Sequence, residues 1–164
     1  MFLTLMQGTT HRIGKTCAAR VVWAPPALAG RRRAGQRTRL SQAERTAIES
    51  HAVRVASDHL IRQGFTIRDV GATESYDLDA RRTGERLFVE VKGTTSAGEQ
   101  VILTKNEVDL NRSEHPHTML VVVSRIHLDH AASPPRASGG VLEVTHPWLV
   151  AETALEPISY RYTR

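Results

Sequence analysis

Apolar and polar positions change their rhythm several times along the chain, and each change predicts an element. From Ser41 the apolar residues Ile48, Ala52, Val55, Ala56, His59 and Leu60 recur at helical spacing, and Gly64 ends the run. Ser41-Gln42-Ala43-Glu44 reads S-x-x-E, a capping box that opens this helix. Phe65–Val70 then alternates as a first strand, and Gly71-Ala72 turns the chain. Two further alternating stretches follow, Ser75–Ala80 and Arg86–Lys92, joined by the polar run Arg81–Glu85. They predict a β-hairpin, with Leu87, Val89 and Val91 on one face and Phe88, Glu90 and Lys92 on the other. Gln100–Leu103 suggests a fourth short strand, and Thr104–Glu107 is a second capping box, opening a helix to about Glu114. Met119–Ser124 is apolar throughout, as in a central strand covered on both faces. Ala131–Gly140 reads as a surface loop, Val141–Thr145 as an edge strand, and Trp148, Leu149 and Leu155 as apolar anchors for the C-terminal segment.

The hairpin carries the candidate chemistry. If its turn is the two-residue pair Thr83-Gly84, Asp77 faces Glu90 with Cβ atoms about 5 Å apart, whereas a bulged loop would shift the pairing by a residue. Two carboxylates so placed repel and call for a counter-charge, which a hard divalent cation with a taste for oxygen ligands supplies.

Asp77 followed by Glu90-Val91-Lys92 at the end of the next strand resembles the PD-(D/E)XK nuclease superfamily, with its restriction-endonuclease-like fold. Tyr76 stands where the superfamily's name has proline. Phe88–Ser96 (FVEVKGTTS) with Ile102–Glu107 (ILTKNE) looks like the family named for the C-terminal domain of the plant protein NO VEIN. The resemblance spans roughly residues 43–124. It implies an α/β (α+β) fold with an αβββαβ core, a mixed sheet flanked by helices. It also implies that Asp77, Glu90 and the Val91 carbonyl hold Mg²⁺ or Mn²⁺. Lys92 would orient or deprotonate the attacking water, its ammonium pKa falling beside the dication. A first-helix glutamate, matched by Glu49, would point at the same site. The implied reaction is hydrolysis of phosphodiester bonds in DNA, with RNA as the second substrate.

Other residues are weighed against simpler roles. Lys105 and Asn106, at a helix start with free N–H groups, are candidate phosphate contacts. Glu107 is explained by its cap alone. Asp69 and Glu74 read as loop acids, and His51 and His59 as packed or solvated. His115-Pro116-His117 reads as a loop rather than a zinc site.

Charge is unevenly spread. Residues 1–40 hold eight basic side chains and no acid, whereas the remainder holds 14 basic and 17 acidic residues. Residues 1–40 therefore read as a basic, disordered extension, and 41–164 as one slightly acidic domain whose balance is no footprint of nucleic-acid binding. The single cysteine, Cys17, fits a reducing compartment, and the apolar start Met1–Met6 is too short for a signal or a span. The expectation is a cytoplasmic protein, without membrane contact and able to form a homodimer. Two rivals stand beside the nuclease: an adaptor that keeps the fold without catalysis, and a glycosidase, whose carboxyls must stand about 5–9 Å apart around a sugar.

Overall fold

A computed structural model describes residues 17–22 (backbone), 40–159 and 162–163. The element order is β1 (Cys17–Val22), α1 (Gln42–Arg62), β2 (Thr66–Asp69), β3 (Leu78–Arg82), β4 (Glu85–Gly93), α2 (Lys105–Glu114), β5 (Thr118–Ser124), β6 (His127–Asp129), β7 (Arg136–Ser138), β8 (Val141–His146) and a 3₁₀ turn at Glu152–Ala154. The run α1-β2-β3-β4-α2-β5 is the expected αβββαβ order. One mixed sheet has strand order β1-β8-β5-β4-β3-β2, with β4 and β5 parallel and the other pairs antiparallel.

Both helices start as their capping boxes require. The Ser41 N–H donates to Glu44 Oε2 at 2.7 Å, and the Thr104 N–H to Glu107 Oε2 at 2.9 Å. The apolar stripe of α1 (Ile48, Ala52, Ala56, Leu60) packs on the face of the sheet that carries Leu78, Ala80, Leu87, Val89, Val91, Met119, Val121 and Val123. Each large aliphatic side chain so buried contributes roughly 1.5–3 kcal/mol. The parallel β4–β5 pair lies at the sheet's centre, which accounts for the unbroken apolar run of β5.

Four expectations change. Gln100–Leu103 forms no strand: β4 and β5 already have two neighbours each, and Ile102 is exposed. Val141–Thr145 is not an edge, because β1 pairs with the outer side of β8. Within residues 1–39 only β1 belongs to the described residues. The stretch 131–140 contains β7, which pairs with β6 as a two-stranded hairpin. Leu149 is exposed, so Trp148 anchors the C-terminal segment without it.

At Gly93, immediately after Lys92, α1 lies close against β4. A Cβ there would lie 2.8 Å from Ala52 Cβ, 3.0 Å from the Ile48 carbonyl oxygen and 3.1 Å from Ile48 Cγ2. Gly93→Ala must push the helix off the strand and is expected to cost about 1–3 kcal/mol, as overpacking does. Chemical denaturation measures this, and an unchanged midpoint would show that helix and strand are not held together here.

Candidate functional site

The hairpin turns at Thr83-Gly84, where Gly84 has φ +76°. Its register is the expected one from Arg82↔Glu85 through Ala80↔Leu87 to Leu78↔Val89. It stops there. The Asp77 N–H donates to the Val89 carbonyl at 3.0 Å, so Asp77 and Leu78 both oppose Val89, the arrangement of a bulge. Asp77 is therefore not paired directly with Glu90. Its Oδ2 instead accepts the Val91 N–H at 2.8 Å, beyond the end of β3. The N–H and C=O of one strand residue point to the same side. The Val91 carbonyl therefore also faces the gap that β3 leaves.

Asp77 and Glu90 line one open cleft of about 210 Å³ with Gly71, Tyr76, Thr104, Asn106 and Glu107. Lys92 Nζ lies 2.6 Å from Glu90 Oε1 and 3.0 Å from Glu107 Oε2. Glu107 thus has two duties, since the same Oε2 accepts the Thr104 N–H. The sequence assigned it only the cap; what exposes the second duty is the placement of α2 over the polar face of β4.

Burial governs the charges. It raises Asp77 above the ordinary carboxylate range, against the lowering effects of the Val91 N–H and Lys92. Burial, with the negative charge of Asp77, pushes Glu90 up to about 7. For Lys92, burial alone would lower the pKa, but Glu90 and Glu107 outweigh it and hold the ammonium above its usual value. That is the balance of the metal-free site, in which the two carboxylates decide the direction.

A pH dependence follows. Glu90 binds its proton more tightly folded than unfolded, so stability falls as pH rises from about 4.5 to about 7 and stays low above. The loss is about 3 kcal/mol in order of magnitude. Thermal unfolding of the metal-free protein should show it, and Glu90→Gln should flatten the profile. A wild-type melting temperature that climbs between pH 5 and pH 8 would contradict the assignment.

The oxygen donors suit a hard cation. Asp77 and Glu90 both line the cleft, and Mg²⁺ characteristically takes one or two carboxylates with water and phosphate oxygens. Among the described residues no cluster of three or more His, Cys, Asp or Glu side chains is arranged to hold a metal. The remaining candidates divide. Asn106 lines the cleft, whereas Lys105 is exposed and paired with Asp109. Glu49 is exposed on α1 and does not line the cleft, although its neighbour Ile48 packs at Gly93. His51 is buried, with Nε2 2.7 Å from the Gly139 carbonyl oxygen, and has a packing role.

Sequence reasoning missed a cluster next to the cleft. Asp79, with a side chain 1% exposed, is met by Arg81 (2.8 Å), Arg86 (2.9 Å) and Arg68 (3.4 Å). Hydrogen bonds from Arg81, and then from Arg86, hold its pKa far below the usual range. The alternation of β3 puts Asp79 on the polar face, which is the signal that was available.

A family model described as protein NO VEIN, C-terminal, matches residues 48–134. The match runs from the first buried isoleucine of α1 past β6 and contains every residue of the cleft. No curated protein and no solved structure matches the chain. No helix among the described residues is long and apolar enough to cross a membrane.

Proposed function

The chain belongs to the family of the protein NO VEIN C-terminal domain, and from that premise we propose that its cleft is the site of a metal-dependent nuclease hydrolysing phosphodiester bonds in DNA. The observation that carries this reading is the junction at the end of β3. There a bulge residue, Asp77, turns onto the backbone of β4 beside Glu90, with the Val91 carbonyl facing the same gap. Asp77, Glu90 and the Val91 carbonyl would hold Mg²⁺ or Mn²⁺. A cation bound there would polarise the scissile phosphate, lower the pKa of bound water and offset developing charge.

The chain's own residues have separate roles. Asp77 is kept in place by the Val91 N–H, so its second oxygen is presented without a search through rotamers. Glu90 must lose its proton to act, and a pKa near 7 allows this at neutral pH. Lys92 is a charged donor rather than a base in this state. Its ammonium can orient a phosphate oxygen or a water while Glu107 holds it from the side of α2. Asn106 lines the cleft and is a polar contact for substrate there.

Cleavage of plasmid and single-stranded DNA with Mg²⁺, Mn²⁺ or chelator tests this reading; no cleavage with either metal would overturn it. A second reading has its own support. Lys92 already satisfies Glu90 and Glu107, so the fold holds its polar face together without a cation, as an adaptor would. A melting temperature that rises with added Mg²⁺, more at pH 8 than at pH 5.5, favours the nuclease. Identical melting at all Mg²⁺ concentrations favours the adaptor.

A further inference from the structure

The Asp79 cluster contains more positive charge than the carboxylate needs. One buried anion is met by three guanidinium groups, which leaves an excess of two charges in the cluster. Arg81 donates through Nε and Nη2 to both oxygens, at 2.9 and 2.8 Å, and Arg86 does the same at 3.2 and 2.9 Å. Either fork alone would satisfy Asp79. Arg68 adds a weaker third contact at 3.4 Å. Arg81 and Arg86 are also directly opposed across β3 and β4, where like charges destabilise. Meanwhile the side chains of Arg68, Arg81 and Arg86 remain 68%, 57% and 44% exposed. The carboxylate is sealed in and the cations face water.

Position gives this excess a direction. The pairs Arg68↔Asp79, Asp79↔Phe88 and Arg81↔Arg86 put all four charged residues on the face of the sheet that carries Glu90 and Lys92. Arg86 lies over the Phe88 ring, 4.5 Å from its centroid, and Phe88 meets Tyr76 edge to face at 5.1 Å. Tyr76 in turn lines the cleft. A strip therefore runs from the arginines over two aromatic rings to Asp77.

We propose that Arg68, Arg81 and Arg86, held in place by Asp79, are the anchoring patch for the DNA phosphates flanking the bond cleaved at Asp77 and Glu90. The patch rests on the nuclease reading of the cleft. Its guanidinium planes are pre-set by Asp79, so little side-chain freedom is lost when phosphate binds. It also answers a difficulty of the charge count: residues 41–164 are acidic on balance, yet the cleft has a locally basic approach.

The test separates binding from cleavage. A short fluorescein-labelled DNA duplex is titrated with the full chain in EDTA at several NaCl concentrations, and anisotropy is read. Residues 1–40 bring their eight basic side chains to every variant alike, so differences report the patch. Arg68→Ala and Arg81→Ala should each weaken binding about tenfold at low salt and reduce the slope of log affinity against log salt by about 1. Arg68→Lys should restore the slope. In cleavage assays the same variants should raise KM and leave kcat near wild type. Arg68→Ala leaves Asp79 both of its forked partners, so it is the variant safest for folding. Unchanged affinity and slope in both alanine variants, with native circular dichroism, would overturn the patch. If those variants bind as wild type while wild type cleaves, the patch alone falls. If binding depends on the arginines but no metal supports cleavage, the arginines remain a DNA-binding patch, while the nuclease reading falls and with it their place beside a cleaved bond.

Discussion

Asp77→Asn is expected to reduce Mg²⁺-dependent cleavage of plasmid DNA by about a thousandfold or more, the scale of several kcal/mol of lost charge stabilisation. The substitution keeps shape. An asparagine carbonyl oxygen can still accept the Val91 N–H that Asp77 accepts at 2.8 Å, so the end of the hairpin has no reason to open. What disappears is the negative charge. Its removal should also lower the pKa of Glu90, because Asp77 is the second cause of that shift after burial. The folded metal-free protein therefore becomes more stable at pH 8 as it loses activity. This pairing separates a ligand from a structural residue: loss of a structural residue lowers activity and stability together. Lys92→Ala is the companion. It leaves Glu90 and Glu107 without their shared ammonium, so it should lose activity and stability at once. Wild-type cleavage rates in Asp77→Asn, with the metal requirement intact, would remove Asp77 from the site.

Local rules made much of this fold legible, and they stopped where partners lie far apart in sequence. Both capping boxes are local, four-residue patterns, and both helices begin at them. The hairpin register is also local, since a two-residue turn at Thr83-Gly84 commits every pair up to Leu78↔Val89. The same counting failed one residue later. It extended the ladder through Asp77, where a bulge turns that side chain toward the β4 backbone. Counting had located the site but not its geometry. The arginine cluster escaped for a different reason. Net charge was summed over residues 41–164, and a sum cannot register that Arg68, Arg81 and Arg86 share one face around one buried acid. Gln100–Leu103 looked like a strand because alternation says nothing about whether an edge is free. Glu107 is a mixed case: its cap was legible and its contact with Lys92, 15 residues away in sequence, was not.

Asn111→Ala is expected to cost about 3 kcal/mol, the largest stability loss of the substitutions considered, because it removes hydrogen bonds and opens a cavity together. Asn111 sits on α2, is 0% exposed, and has partners 37 and 39 residues away. Its Nδ2 donates to the Trp148 carbonyl at 2.9 Å and to Thr118 Oγ1 at 3.3 Å. Its Oδ1 accepts the Val150 N–H at 2.9 Å. The amide is oriented by those partners, since a carbonyl can only accept and an N–H only donate. With alanine the Trp148 carbonyl keeps Thr118 Oγ1 at 2.7 Å, but the Val150 N–H loses its acceptor. One side chain thus ties α2, β5 and the C-terminal segment together, behind a buried Trp148. The loss should appear as a fall in melting temperature of about 6–12 °C for a chain of this length. It should also reach the cleft. Four residues earlier on the same helix, Glu107 holds Lys92 at 3.0 Å, so a loosened α2 leaves the ammonium to Glu90 alone. Cleavage should drop mainly through kcat, because the arginine patch lies on β2, β3 and β4, and any rise in KM should be confined to the contact of Asn106 on α2. A stability loss below about 1 kcal/mol, the net value of a single hydrogen bond, would mean that the C-terminal segment is held by Trp148 packing and that Asn111 is dispensable.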